Sequence, residues 1–198
     1  MADPAARRRK VAVAGHARDL DTAVAALADP EPAVRATAIG ALERLGRLTP
    51  ADLTSALADP IPAVRRRAIE ACAGSPGDEP PSLLRALEDA DATIVEVAAW
   101  ASGERHPPER GVVAALARLV ATHDDALVRE AAVAALGAIG DEAGRTAILS
   151  ALSDKATVRR RAVLALAPFE GPDVDAALAA AREDRDWQVR QAAEDLSG

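Results

Sequence analysis

The chain repeats itself about every thirty residues, and that period limits its fold more than any other feature. Asp29-Pro30-Glu31-Pro32-Ala33-Val34-Arg35 returns as Asp59-Pro60-Ile61-Pro62-Ala63-Val64-Arg65, and the two copies run on into Ala38-Ile39 and Ala68-Ile69. Weaker copies centre on Ile94, Val128, Val158 and Val189. The anchors 34, 64, 94, 128, 158 and 189 are therefore spaced 30, 30, 34, 30 and 31 residues apart. Units of roughly 20–50 residues bury their apolar faces against one another, so the period predicts a stacked array.

Each period reads as two helices. The first, helix A, is predicted over Asp19 to Ala28, Pro50 to Ala58, Glu79 to Glu88, Pro107 to Thr122, Asp141 to Leu152 and Pro172 to Arg182. The second, helix B, carries the anchor. Pro32 and Pro62 fall in its first turn, where a missing N–H costs nothing. Asp91, Asp125 and Asp186 stand where Glu31 stands and suit the N-cap. Small or aliphatic residues follow four of the anchors at four, five and eight positions: Ala38, Ile39 and Leu42; Ala68, Ile69 and Cys72; Ala132, Val133 and Leu136; Ala162, Val163 and Leu166. That spacing is one buried helical stripe. Gly46 and Gly140 suit helix ends. Asp3 to Val11 resembles Asp59 to Ile69 with two residues deleted, and aligns Arg7-Arg8-Arg9 with Arg65-Arg66-Arg67. Lys10, Glu194 and Asp195 put polar groups where the frame expects apolar ones, as the outer faces of terminal repeats require. The expected organisation is one repeat domain over 1–198, complete in itself. An N-terminal cap helix takes 1–18, and repeats fall near 19–48, 49–78, 79–106, 107–140, 141–171 and 172–198.

Composition narrows what such an array can do. Hydrophobic residues make up 49% of the 198, yet there are two Trp, one Phe, one Met and no Tyr. The core must be built from Ala, Leu, Val and Ile, small enough to let helices approach closely. A net charge of −7 argues against a constitutive nucleic-acid binder. A single cysteine rules out an internal disulfide or a cysteine metal cluster. No apolar run approaches the roughly 20 residues needed to span a bilayer. The apolar run after Arg7-Arg8-Arg9-Lys10 is too short for a secretory signal. A cytoplasmic protein is expected.

These repeats resemble the short HEAT-like repeats of the phycobilisome-lyase type, whose pattern is Asp, four residues, Val-Arg, two residues, Ala, then Ala-Leu-Gly and Ile-Gly. Ala135-Leu136-Gly137-Ala138-Ile139-Gly140-Asp141 follows it closely. The resemblance covers nearly the whole chain. It implies an all-α, right-handed α-α superhelix, a HEAT/ARM-like solenoid of about six helix pairs plus the cap helix. The B helices would line its concave face. It implies no single function, because such repeats serve as adaptors, enzyme subunits and regulators.

Candidate sites must be separated from frame. The arginine after the anchor (Arg35, Arg65, Arg129, Arg159, Arg190) reads either as a basic ladder for a ligand or as a structural partner of acids such as Asp29, Asp59 or Asp89. The structural reading is preferred, since a linear array must satisfy its inter-repeat interfaces. Residues two, three and six after the anchor should face the groove or its edge: Ala36, Thr37 and Gly40; Arg66, Arg67 and Glu70; Glu96, Val97 and Trp100; Glu130, Ala131 and Ala134; Arg160, Arg161 and Leu164. Trp100 replaces a small residue mid-array, one turn after Glu96 and between Arg66 and Arg160. An aromatic beside arginines is the composition of an interaction hot spot; the competing reading is that Trp100 fills a gap in the core. Val95 replaces the repeated arginine in this repeat. The next anchor comes late, and the extra length falls in the polar loop from Ser102 to Arg110.

The arginine triplets invite a phosphate reading, but three consecutive helical residues fan over about 200°. Neighbouring Glu70, Glu96 and Glu130 dilute their field. HEAT-like folds include alkylpurine DNA glycosylases, which use a Trp, an Asp one turn later and an Arg from the following repeat. Here Glu104 follows Trp100, and Ala134 and Ala138 stand where that Arg would. His16, His106 and His123 show no metal-ligand spacing, and Cys72 falls at a core position. Trp187 is expected to cover the end of the array.

The sequence is thus read as a non-catalytic protein–protein interaction scaffold that holds a protein or peptide in its groove. The groove residues would be Arg66, Glu70, Glu96, Trp100, Glu130 and Arg160, joined by Glu104, Arg105 and His106 of the loop. No catalytic residue, metal or cofactor is expected, and neither is a membrane contact. The alternatives are a nucleic-acid-binding or glycosylase-like protein and a lyase-type or biosynthetic accessory subunit that binds a small molecule.

Overall fold

A computed structural model of the chain describes residues 3–74 and 80–196. Helices and connections account for all of them; among the described residues there is no strand. Contacts divide the chain into two compact units, 1–83 and 84–198.

The first unit holds α1 (Pro4–Ala17), α2 (Leu20–Ala25), α3 (Pro32–Arg44), α4 (Pro50–Leu57) and α5 (Pro62–Ala73). Asp3 and Asp19 cap α1 and α2 by accepting from the N–H groups of Ala6 and Thr22. Thr49 and Asp52 form a reciprocal capping box on α4. Pro32 and Pro62 stand in the first turns of α3 and α5, as expected. Val34, Ala38, Ile39 and Leu42 of α3 and Val64, Ala68, Ile69 and Cys72 of α5 are fully buried. Cys72 is therefore a core residue.

The second unit holds α6 (Ala92–Gly103), α7 (Val112–Thr122), α8 (Ala126–Ile139), α9 (Arg145–Ala151), α10 (Ala156–Ala165), α11 (Pro172–Ala181) and α12 (Trp187–Asp195). Asp91, Asp125 and Asp186 cap α6, α8 and α12 through the N–H groups two residues on. Gly140 ends α8 in the left-handed region, at φ 66°. The stripes Ala132, Val133 and Leu136 on α8 and Ala162, Val163 and Leu166 on α10 are buried, and Phe169 extends the second.

Three segments depart from expectation. The helix expected from Glu79 to Glu88 begins outside the described residues; inside them it shrinks to a 3-10 turn at Ala86–Glu88. Pro81 biases Pro80 away from the α region, which delays any helix there, and Ser82 to Arg85 form no α-helical turn. The helix expected to start at Pro107 starts at Val112, after Pro107-Pro108 and after Gly111 at φ 86°. The loop expected from Ser102 starts at Glu104: Ser102 donates to the Ala98 carbonyl inside α6, and Gly103 is buried against α8.

Successive B helices meet on small residues. A methyl group on Gly103 would lie 2.9 Å from the Ala135 Cα, and one on Gly137 would lie 2.7 Å from the Ala165 Cα. Ala135 and Ala165 both stand seven after an anchor. Backbones this close leave no space for a larger side chain on either helix.

Arginine–aspartate rungs lock the turns. Arg35 donates from Nε and Nη2 to both Asp59 carboxylate oxygens, at 2.7 and 2.8 Å, and from Nη1 to the Asp29 carbonyl at 2.9 Å. Asp59 also accepts from the Ile61 N–H, which turns the chain into α5. Arg7 grips Asp29 in the same way. In the second unit Arg129 grips Asp154 and Arg159 grips Asp184. The structural reading of the repeated arginine is therefore the observed one within each unit, with the acid supplied by the following repeat. Arg159 is 5% exposed, so truncating it strands a carboxylate with little access to water.

Hydrogen bonds from the arginines, and from the turn N–H groups, hold Asp29, Asp154 and Asp184 below the usual carboxylate value of 3.8. At Asp59 burial pushes upward but is outweighed by the bonds from Arg35 and Ile61. The unfolded chain thus binds more protons than the native one as pH falls below about 4, and stability must drop there. We expect urea midpoints to fall steeply from pH 5 to pH 3, and Asp184→Asn to be less stable at pH 7 with a shallower acid dependence. We also expect Arg159→Lys, which keeps charge but loses the fork, to cost about 2 kcal/mol in urea unfolding at pH 7.

Candidate functional site

Once the rungs and stripes are assigned, the surface left over on the second unit belongs to α6, α8 and α10. Trp100 lies on α6 and is 46% exposed, so it stands on the surface and does not fill the core. It is one turn from Glu96, which makes no ion pair with any described residue. Val97, expected at the groove edge, is buried. This helix is apolar around most of its circumference, with Ile94, Val95, Val97, Ala98, Ala99 and Ala101 all buried.

On α8 the corresponding positions are short: Ala131 and Ala134 are part-exposed and Ala138 is exposed. Glu130 accepts from Arg161 of α10 at 3.5 Å. The Nε of Arg161 is buried without a hydrogen-bond partner, so this guanidinium is held by packing as well as by charge. Arg160 is exposed on the same helix and unpaired among the described residues, and Leu164 is part-buried a turn further on. By register, Trp100 on α6 and Arg160 on α10 stand on either side of the alanines of α8.

The loop after α6 divides in two. Glu104 and His106 are exposed, with His106 Nδ1 3.3 Å from the Glu104 carbonyl oxygen. Arg105 is 7% exposed and pairs with Glu109 at 3.5 Å, so it belongs to the protein interior. Trp187, expected to cover an end, is 64% exposed at the start of α12, outside the buried stripe of Val189, Ala192 and Ala193.

Arg66 and Glu70 lie on α5 in the first unit and pair with each other at 3.1 Å, both part-exposed. Arg67 pairs with Glu43 and lies across Gly40, where a methyl group would come within 3.2 Å of its guanidinium. The sequence reading missed a cavity of about 510 Å³ in this unit, between α1 and the start of α3. Its signal was present in the register: Arg7 makes a rung, so Arg8, Arg9 and Ala12 stand two, three and six after the anchor position and face the same surface.

His16, His106 and His123 lie on separate segments. Among the described residues no three His, Cys, Asp or Glu side chains are grouped so as to hold a metal ion.

The family model for HEAT repeats matches residues 20–103, 50–137, 79–166 and 113–197. The chain belongs to the HEAT-repeat family. Among solved structures this HEAT-repeat protein is similar to human deoxyhypusine hydroxylase in complex with glycerol, at 23% identity over 96% of this chain and 77% of that one, with a TM-score of 0.51. It is also similar to a designed armadillo repeat protein, at 18% identity over 89% and 98% of the two chains, TM-score 0.62. A second designed armadillo repeat protein, in complex with a (KR)4 peptide, is 18% identical over 96% and 85%, TM-score 0.51. These likenesses support an α solenoid. No curated protein matches the sequence, and among the described residues no helix is long and apolar enough to cross a membrane.

The loop's two halves should respond differently to mutation. Arg105→Ala is expected to destabilise the protein by about 1–3 kcal/mol by removing a buried side chain and its ion pair with Glu109. Glu104→Ala and His106→Ala should stay within about 0.5 kcal/mol in the same urea titration.

Proposed function

We propose that this HEAT-repeat chain is a protein-interaction scaffold, and that the α6–α8–α10 face of the 84–198 unit docks a peptide segment of a partner. The observation that carries this reading is Trp100: a large aromatic ring, nearly half exposed, beside alanines that leave room for a partner's backbone. A buried aromatic anchor is the commonest hot spot in such contacts. Glu96 and Arg160, which have no ion pair among the described residues, would set the polarity of the segment, and Glu130 would act through its contact with Arg161. Glu104 and His106 extend this surface beyond the end of α6.

A protein of similar fold is in complex with a peptide, which supports the mode of binding but not its specificity. The cytoplasmic location expected from the sequence agrees with this role. The −7 charge and the alanine floor supply neither the field nor the stacking rings that a nucleic-acid site uses.

The test uses a phage-displayed library of random peptides. Peptides selected on the protein should quench the fluorescence of Trp100 in a Trp187→Phe background. Trp100→Ala should weaken them by about thirtyfold, the size of a 2 kcal/mol hot spot, with helicity unchanged by circular dichroism. Selected peptides that bind wild type and Trp100→Ala equally would remove this face from consideration.

A further inference from the structure

The cavity in the 1–83 unit is lined by Ala5, Arg8, Arg9 and Ala12 of α1 and by Glu31 and Ala33 at the start of α3. We propose that it is a second docking site, one that takes an acidic peptide segment of a partner protein. The frame itself explains why its arginines are available. Arg7 spends its guanidinium on Asp29, while Arg8 and Arg9, one and two residues on, are exposed and make no ion pair with any described residue.

Each guanidinium presents a planar donor fork that matches a carboxylate. Two forks call for two carboxylates, which a run of Asp or Glu supplies on one chain. The volume of about 510 Å³ lies within the range of roughly 300–1,000 Å³ typical of ligand sites. Ala5, Ala12 and Ala33 keep the walls low enough for a peptide backbone to lie against them.

The same lining disfavours nucleic acid. It holds no aromatic ring on which a base could stack. Glu31 also lines the cavity and opposes any anionic segment, so the two arginines act against it. Arg66 and Arg67 on α5 add positive potential to this unit, although Glu70 and Glu43 hold them.

Fluorescence anisotropy of a labelled octaglutamate peptide tests the site, with octalysine, an uncharged Gly-Ser octamer and an oligothymidylate as comparison probes. Octaglutamate should bind, octalysine and the Gly-Ser peptide should not, and binding should weaken with added salt. The double substitution Arg8→Glu, Arg9→Glu should weaken it by at least about tenfold. Ala33→Glu should act in the same direction, and Glu31→Gln should tighten binding about twofold. These two changes lie outside α1, so they decide the matter if the double variant loses helicity. Trp100→Ala should leave octaglutamate binding unchanged, which keeps this site separate from the face on the other unit. Absence of octaglutamate binding, binding indifferent to Arg8, Arg9, Glu31 and Ala33, or tighter capture of the oligothymidylate through the same arginines would each overturn the proposal.

Discussion

The arginine–aspartate rung is the interaction on which each unit's register depends. A single guanidinium ties three pieces of backbone together: the helix that carries it, the turn that precedes that helix, and the turn of the next repeat. The Nη1 of Arg35 holds the Asp29 carbonyl, while its fork holds Asp59, whose carboxylate also accepts from the Ile61 N–H. The polar groups of two tight turns are thereby satisfied without water, which a stacked array needs because each turn is partly covered by its neighbour. Arginine is required, since only its planar fork can bind a carboxylate with two donors and still turn a third toward a carbonyl.

B helices also approach one another closely, with a rung between α8 and α10 and, among the described residues, without one between α6 and α8. The helices α8 and α10 come so close that Gly137 lies against the backbone of Ala165. Not even a methyl group fits on Gly137, and nothing larger than one fits on Ala165, so this contact is confined to Gly and Ala. Where α6 carries Val95 in place of the arginine, the apolar side chain is buried. The following loop folds Arg105 into the interior against Glu109. The irregular repeat thus exchanges a rung for apolar burial and a local ion pair.

Much of this was legible in the sequence because a repeat reports the same fact several times. The anchors, the buried stripes, the caps at Asp91, Asp125 and Asp186, and the core placement of Cys72 all follow from register, and one register fits every copy. What escaped was local and unrepeated. Inside the described residues the helix expected up to Glu88 shrank to a 3-10 turn after Pro80-Pro81, and Pro107-Pro108 with Gly111 delayed another, because proline acts on its own turn whatever the period demands. The inward turn of Arg105 and the exposure of Trp187 depend on side-chain directions that no periodicity encodes. At the candidate site, the position of Trp100 was readable from register but its exposure was not. An extra ring at a small-residue position can go inward or outward, and only the packing of α6 against α8 decides.

The same bookkeeping separates frame from function among the charges. Arg7, Arg35, Arg129 and Arg159 are committed to aspartates. Arg66, Arg67 and Arg161 have glutamate partners within their own units. Glu96 and Arg160 on one unit and Arg8 and Arg9 on the other have neither among the described residues. A surface charge costs little to keep in water, so its presence proves nothing alone. These four, however, occupy the positions two or three after the anchor, on the side of the B helix that the repeat leaves open. Next to them stand the exposed ring of Trp100 in one case and a cavity in the other. The repeat supplies identical open faces, and the residues it does not use for its own stability are the ones that can make those faces different.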